Sequence, residues 1–355
     1  MVDIYDVMQK AKNAGASDVH ITVGVPPKMR VNGSLLTVEG YDRLMPQDTL
    51  DVVMSIANEE QRRRFEEIGE YDMSFSIPAL GRYRVNIFKQ RGSAGLALRL
   101  VGTEIPNPEK LGVPKAVIDL HERKRGLILV TGPTGSGKST TLASIIDRIN
   151  ENRDAHIITL EDPIEYLHMH KRSVVNQREI GMDSGSYANA LRAALREDPD
   201  VILVGEMRDF ETIQAAVTAA ETGHLVLSTL HTTSAADTIN RIIDVYPEHQ
   251  QQQIRTQLAN NLVGVIAQTL IPKKDGTGRI ACMEILNCTD AVAAQIRDNK
   301  IHLIQSTIQT GKQQGMMSLD MELAKYVKNN IISEVDAIDK CQDKQEFYRF
   351  LAQLG

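Results

Sequence analysis

The chain has no tryptophan, and six phenylalanines and nine tyrosines leave aromatics at 4% of residues. Its cores must therefore be built from Ile, Leu, Val, Ala and Met. Cysteine is almost as scarce. Cys282, Cys288 and Cys341 form no CxxC pair, and an odd count of three excludes a four-cysteine zinc site and argues against a disulfide framework. A reducing compartment is the natural reading. A basic excess is also missing: 46 acids outnumber 40 Lys and Arg, for a net charge of −6. A chain that neutralises many nucleic-acid phosphates usually carries the opposite balance, so no nucleic acid is expected as a partner. Long apolar runs are absent too. The longest uncharged stretch, Thr256 to Pro272, includes Gln257, Asn260, Asn261 and Gln268. It falls short of the ~20 apolar residues a membrane span needs. The first 15 residues hold no apolar signal core, and Ile4, Val7, Met8 and Ala11 follow helical spacing instead. The expectation is a cytoplasmic protein that meets a membrane only through a partner.

At 355 residues, two domains are expected. Residues 1–102 read as a small α+β domain. A helix covers about Asp3–Ala14, and Asn32-Gly33 signals a hairpin. Asp48 is placed to cap a second helix, with Leu50, Val53, Met54 and Ala57 on its apolar face. Strict alternation from Tyr71 to Ile77 marks a strand, followed by strands near Arg82–Phe88 and Leu96–Val101. Pro106, Pro108 and Pro114 make 103–114 a linker. In 115–355 short apolar strands alternate with amphipathic helices, which implies a mainly parallel sheet covered on both faces. From about Pro247 the pattern turns largely helical, with a helical C-terminal part from about residue 287.

One motif carries specific chemistry. The run Gly132, Pro133, Thr134, Gly135, Ser136, Gly137, Lys138, Ser139 fits the phosphate-loop pattern of a Gly, four residues, then Gly-Lys-Ser. A strand precedes it, and an amphipathic helix with Leu142, Ile145, Ile146 and Ile149 follows. Glycines let backbone N–H groups turn inward around phosphates, Lys138 reaches the β- and γ-phosphates, and Ser139 ligates Mg²⁺. With Thr140, this run is the expected ATP-binding segment.

Other segments are less specific. The strand VILVGE (201–206) ends in Glu206, placed either to handle Mg²⁺ or its water, or simply as a loop acid. Glu161, Asp162 and Glu165 follow another strand, where ligands bind in open α/β sheets, although acids beside proline are also common in loops. His224 precedes a strand and His231 follows it, as structural hydrogen-bonders or as a γ-phosphate sensor. From Pro78 to Gly102 there are five basic residues and no acid. Alternation puts Arg82, Arg84 and Arg99 on polar strand faces, either merely solvated or completing a neighbouring subunit's nucleotide site as arginine fingers do.

These segments resemble the type IV pilus retraction ATPase (PilT) family of the type II/IV secretion ATPase superfamily. The resemblance is carried by SDVHI (17–21), GRYRVNIF (81–88), GPTGSGKSTT (132–141), LEDPIEY (160–166), NQREIG (176–181), ALRAALREDPDVILVGEMRD (190–209) and TGHLVLSTLHTTSAADTINRIIDVYP (222–247). It implies a PAS-like N-terminal domain, a RecA-like P-loop ATPase domain and a ring of six identical subunits. ATP would lie at the interdomain cleft and subunit border. Lys138 and Ser139 would hold the phosphates and Mg²⁺, Glu165 would be the general base, and Glu206 the Mg-associated acid. His224 and His231 would form a histidine box, with His231 at the γ-phosphate, and Arg82, Arg84 and Arg99 would act near a nucleotide. It also implies a cytoplasmic motor at the inner face of the cytoplasmic membrane. Its partners would be an inner-membrane platform protein and the pilus machinery.

Two departures stand out. The four-cysteine motif of elongation-type relatives is missing, which favours retraction. The AIRNLIRE-like segment of the retraction family is matched in Ala291–Asp298 at Ile296 and Arg297, but not at Ala293, Ala294 or Gln295. Two rival readings remain: a RecA-like nucleic-acid motor, and a nucleotide-gated accessory subunit of a sister pilus ATPase.

Overall fold

The computed structural model describes every residue except Met1, Asn32, Ala79, Thr103 and Gly355. It forms two compact units, Met1–Thr103 and Glu104–Gly355.

The first unit runs α1 (Ile4–Asn13), β1 (Asp18–Ile21), β2 (Lys28–Val31), β3 (Ser34–Thr37), α2 (Pro46–Ile56), α3 (Glu59–Ile68), β4 (Glu70–Ile77), β5 (Gly81–Gln90) and β6 (Ser93–Leu100). Its six strands make one antiparallel sheet in the order β3-β2-β1-β6-β5-β4. The Asp3 carboxylate caps α1, and Ile4, Val7, Met8 and Ala11 form its buried stripe. The hairpin is present, with Val31 paired to Ser34. Asn32 of the turn signal and Thr103 of the linker lie outside the described residues. Asp48 does not cap α2. Pro46 opens that helix one residue after Met45, and Asp48 sits in the first turn, accepting from the Met45 N–H at 2.8 Å. The sequence reading missed α3, which Asn58 caps reciprocally with Gln61.

The second unit runs α4 (Lys115–Ile118), β7 (Gly126–Thr131), α5 (Lys138–Asn152), β8 (His156–Glu161), β9 (Val174–Glu179), α6 (Tyr187–Ala194), β10 (Val201–Val204), α7 (Phe210–Glu221), β11 (Leu225–Leu230), α8 (Ala235–Asp244) and α9 (Glu248–Asn261). It continues through β12 (Leu262–Pro272), β13 (Arg279–Asn287), α10 (Asp290–Arg297), α11 (Ile304–Thr310), α12 (Leu319–Lys328), α13 (Glu334–Lys340) and α14 (Lys344–Gln353). The sheet order is β13-β12-β7-β11-β10-β8-β9, parallel except for β12 against β13. Every residue of β7, β10 and β11 is buried. Strand alternation explains how both faces are covered. Leu127 and Leu129 point into a core with α6 to α9, while Ile128 and Val130 meet Leu142, Ile145, Ile146 and Ile149 of α5.

The helical reading from Pro247 onward is corrected here. After α9 the chain makes two long strands, joined through a turn at Asp275-Gly276. Apolar run length does not distinguish a buried strand from a helix, so β12 was not legible by period. Thr289 caps α10, and Asp290 is its first helical residue. The outward edge of β13 is closed by the segment around α12. Met317 bridges Ile285, Glu322 accepts from the Met283 N–H, and the Tyr326 hydroxyl donates to the Ala281 carbonyl at 3.1 Å. Residues 281, 283 and 285 alternate, so their backbone groups lie along one edge. Among the described residues no helix is long and apolar enough to cross a membrane.

Candidate nucleotide site

The phosphate loop connects β7 to α5. Two of its glycines are required by geometry. A Cβ on Gly132 would lie 2.1 Å from the Gln268 carbonyl oxygen, and Gly137 has φ +88°, in the left-handed region. Lys138 Nζ donates to the carbonyls of Gly132 (2.8 Å) and Pro133 (3.1 Å). Burial lowers the pKa of Lys138, and the charge of Glu206 opposes that shift.

A cavity of about 270 Å³ opens beside the loop. Thr134, Gly135, Lys138 and Ser139 form one wall. Glu161, Asp162, Pro163 and Glu165 arrive from the end of β8, Gly205, Glu206 and Arg208 from the end of β10, and Thr229 and His231 from the end of β11. Tyr187, at the start of α6, completes the lining. The carboxyl ends of four parallel strands thus converge on one site, as the fold dictates.

Glu206 is the best-held acid. Arg208 Nε lies 2.6 Å and His231 Nε2 2.9 Å from its Oε1, and Arg208 Nη2 donates to Oε2 at 2.7 Å. Burial would push this carboxyl up, but the hydrogen bonds from Arg208 and His231 outweigh it and hold the pKa below the usual glutamate value. Glu161 behaves oppposite to this. Burial raises it, against hydrogen bonds from Thr159, Gln177 and the Glu165 backbone. Glu165 lies exposed at the cavity wall. Burial also raises the Tyr187 phenol.

Gly205 precedes Glu206, and the packing leaves no room there for a side chain. A Cβ there would come 2.9 Å from the Tyr187 hydroxyl and 3.1 Å from the Leu160 carbonyl. The Thr229 hydroxyl donates to the Gly205 carbonyl at 2.6 Å, tying the ends of β10 and β11 together.

His224 is not brought to this cavity. It precedes β11, at the amino end of the strand, and its Nδ1 lies 2.9 Å from the Ala219 carbonyl at the end of α7. Parallel strands send their carboxyl ends to one side, so the two histidines flanking β11 are separated by its full length. Within this chain His224 makes a helix-end contact, away from the cavity that His231 lines. In the first unit, Arg84 and Arg99 are exposed and opposite one another across β5 and β6, and Arg99 pairs with Asp18 at 2.8 Å. Arg82 is on the same strand face as Arg84.

Sequence reasoning missed Tyr187, Arg208 and Thr229, which line the cavity. Arg208 lies two residues after Glu206 within a recognised motif. A divalent cation would find hard oxygen donors in the Ser139 hydroxyl and the ionised Glu206. Among the described residues no cluster of three His, Cys, Asp or Glu is placed to hold a metal. The donor set fits Mg²⁺, which commonly takes one or two protein ligands together with substrate phosphates.

Residues 111–337 match the family model for type II/IV secretion system proteins. The chain is 46% identical over 346 residues to the type IV pilus retraction ATPase PilT of Pseudomonas aeruginosa, covering 98% of this chain and all of that protein. It is 45% identical over 319 residues to a twitching motility protein of Neisseria gonorrhoeae, covering 90% and 85% of the two chains. Among solved structures it resembles the pilus retraction motor PilT with bound ADP, with a TM-score of 0.91 and 48% identity over 98% of this chain and all of the other.

Proposed function

The chain belongs to the PilT family of type II/IV secretion ATPases, and from that membership we propose that it hydrolyses Mg-ATP to drive type IV pilus retraction. The observation that carries this reading is the end-to-end likeness to a retraction ATPase. The convergence of Lys138, Glu165, Glu206 and His231 on one cavity supports the ATPase part. A nucleic-acid motor draws no support from these relatives.

The residues divide the work as follows. Gly132 to Thr140 wrap the phosphates, with loop N–H groups and the α5 N-terminus facing the negative charge. Lys138 leaves the Gly132 and Pro133 carbonyls for the β- and γ-phosphates. Ser139 and Glu206 would hold Mg²⁺, which would supply positive charge against the phosphates. Glu165 accepts the proton of the attacking water. His231, fixed against Glu206, faces the γ-phosphate side. Arg82, Arg84 and Arg99 reach the nucleotide of a neighbouring subunit in a homo-hexamer. The ring works in the cytoplasm, peripheral to the inner face of the cytoplasmic membrane, against the pilus platform protein.

The test is pilus retraction in a strain lacking this protein, complemented by the wild-type chain or by Lys138→Ala. Wild type should restore retraction and the variant should not. Purified Lys138→Ala should lose at least roughly a hundredfold in ATPase rate, because a fixed charge at the transferring phosphoryl group is lost. Unchanged retraction in the deletion strain would overturn the pilus assignment.

A further inference from the structure

We propose that Gln268 of β12 is a positioning residue that presets the phosphate loop for nucleotide, an inference that rests on the ATPase reading above. Its side chain is buried, and each end of the amide has one partner. Nε2 donates to the Ser136 carbonyl at 2.7 Å, and Oε1 accepts from the Thr141 hydroxyl at 2.7 Å. One side chain therefore ties the loop to the second turn of α5. Its backbone carbonyl also closes the space at Gly132.

The consequence follows from peptide geometry. A loop that turns N–H groups inward must turn carbonyls outward, and a buried outward carbonyl needs a donor. In a trans peptide the C=O and the next N–H point in opposite directions within one plane. Drawing the Ser136 carbonyl toward β12 therefore aims the Gly137 N–H away from β12, toward the inside of the loop. At Gly137, with φ +88°, the backbone has freedom that a side chain would have restricted, so an outside clamp is needed to select one peptide orientation. The task needs separate donor and acceptor atoms side by side at the end of one flexible side chain, which a carboxamide supplies. Asn at this position would be one methylene too short to span both partners.

A preset loop serves ground state and transition state alike, so its loss should appear in KM and leave kcat nearly unchanged. The experiment uses the full-length protein carrying Gln268→Met, which keeps the length and removes both hydrogen bonds. Thr141→Val, which removes one bond, and Gln268→Glu, which keeps the acceptor and removes the donor, complete the series. For Gln268→Met, KM for Mg-ATP and Kd for Mg-ADP should each rise about tenfold, with kcat within about threefold of wild type. Thr141→Val should shift both constants in the same direction by less. Gln268→Glu should be at least as impaired as Gln268→Met, because an ionised carboxylate would face the Ser136 carbonyl.

A fall in kcat at unchanged KM would signal loss of active protein through packing and would overturn the proposal. Unchanged Mg-ADP affinity in Gln268→Met would do the same. If Gln268→Met does not fold, Thr141→Val decides, and unchanged affinity there overturns the proposal. Wild-type turnover, measured alongside, separates this outcome from failure of the ATPase reading itself.

Discussion

Glu165 and Glu206 lie in one cavity but in different surroundings, which suit the different roles proposed for them. Glu206 has both oxygens engaged, by Arg208 and by His231, and is held as a carboxylate. It suits a fixed charge beside a cation. Glu165 is exposed at the cavity wall and can take a proton from water. Glu165→Gln should therefore bind ATP with wild-type affinity while turnover falls at least roughly a hundredfold. Glu206→Gln should weaken the dependence on Mg²⁺ as well as the rate. Titrations of Mg²⁺ and of a fluorescent nucleotide against both variants check this. Normal turnover by Glu165→Gln, with ATP trapped by Glu206→Gln, would reverse the roles. Gly205→Ala should lower the melting temperature by several degrees, because its Cβ meets the Leu160 carbonyl and costs about 1–3 kcal/mol. Thermal unfolding measures it, and an unchanged midpoint would show that the strand end gives way. At this scale the phosphate loop was legible because its spacing reflects a backbone shape that few residue types allow. Gln268 was not, since a lone amide in an apolar run has no period. The two histidines were already distinguished by their places before and after a strand, and of the two only His231 lines the cavity.

Among the elements, α12 carries the clearest pH signature. Burial pushes the Glu322 carboxyl up to about 7, against hydrogen bonds from the Met283 N–H, Cys282 and Tyr326. A folded-state pKa above the unfolded one means that folding takes up a proton. The associated stability is fully present below the ordinary glutamate pKa and is lost as pH rises through about 7. Stability should therefore fall by on the order of 1–3 kcal/mol between about pH 5 and 7 from this group. Glu322→Gln should reduce that slope, as read from urea midpoints across the range. A slope identical to wild type would exclude Glu322 as its source. The same region shows why element reading failed after Pro247. β12 is mostly buried and shows no alternation, and its partner β13 is recognisable only once the two strands are paired. Most of the alternating strands and helices from residue 126 to 230 were legible because each is short and punctuated, although β9 was missed.

For the whole molecule, the proposed ring makes a stoichiometric prediction. Lys138→Ala subunits lack the phosphate-side charge and Arg84→Ala subunits lack the arginine offered to a neighbour. If sites are shared between subunits, mixing the two inactive proteins should create some intact sites and recover part of the ATPase rate. Mixed rings with no recovered activity, their formation verified by native mass spectrometry, would count against shared sites. The proposed ring rests on family resemblance alone, because exposed arginines on an antiparallel sheet look the same whether they meet water or a neighbouring subunit.

The segment around α12 that satisfies the outer backbone groups of β13 has a practical consequence for anyone shortening this chain. A fragment ending at Gly311 would keep the phosphate loop, the acids and every strand of the sheet. It would also leave the Ala281 carbonyl, the Met283 N–H and both backbone groups of Ile285 open along one rim, ready to pair with the same rim of another copy. Residues 312–355 thus cover this rim of the sheet, and a minimal fragment trimmed to its chemistry is expected to aggregate, which light scattering of the purified fragment would check.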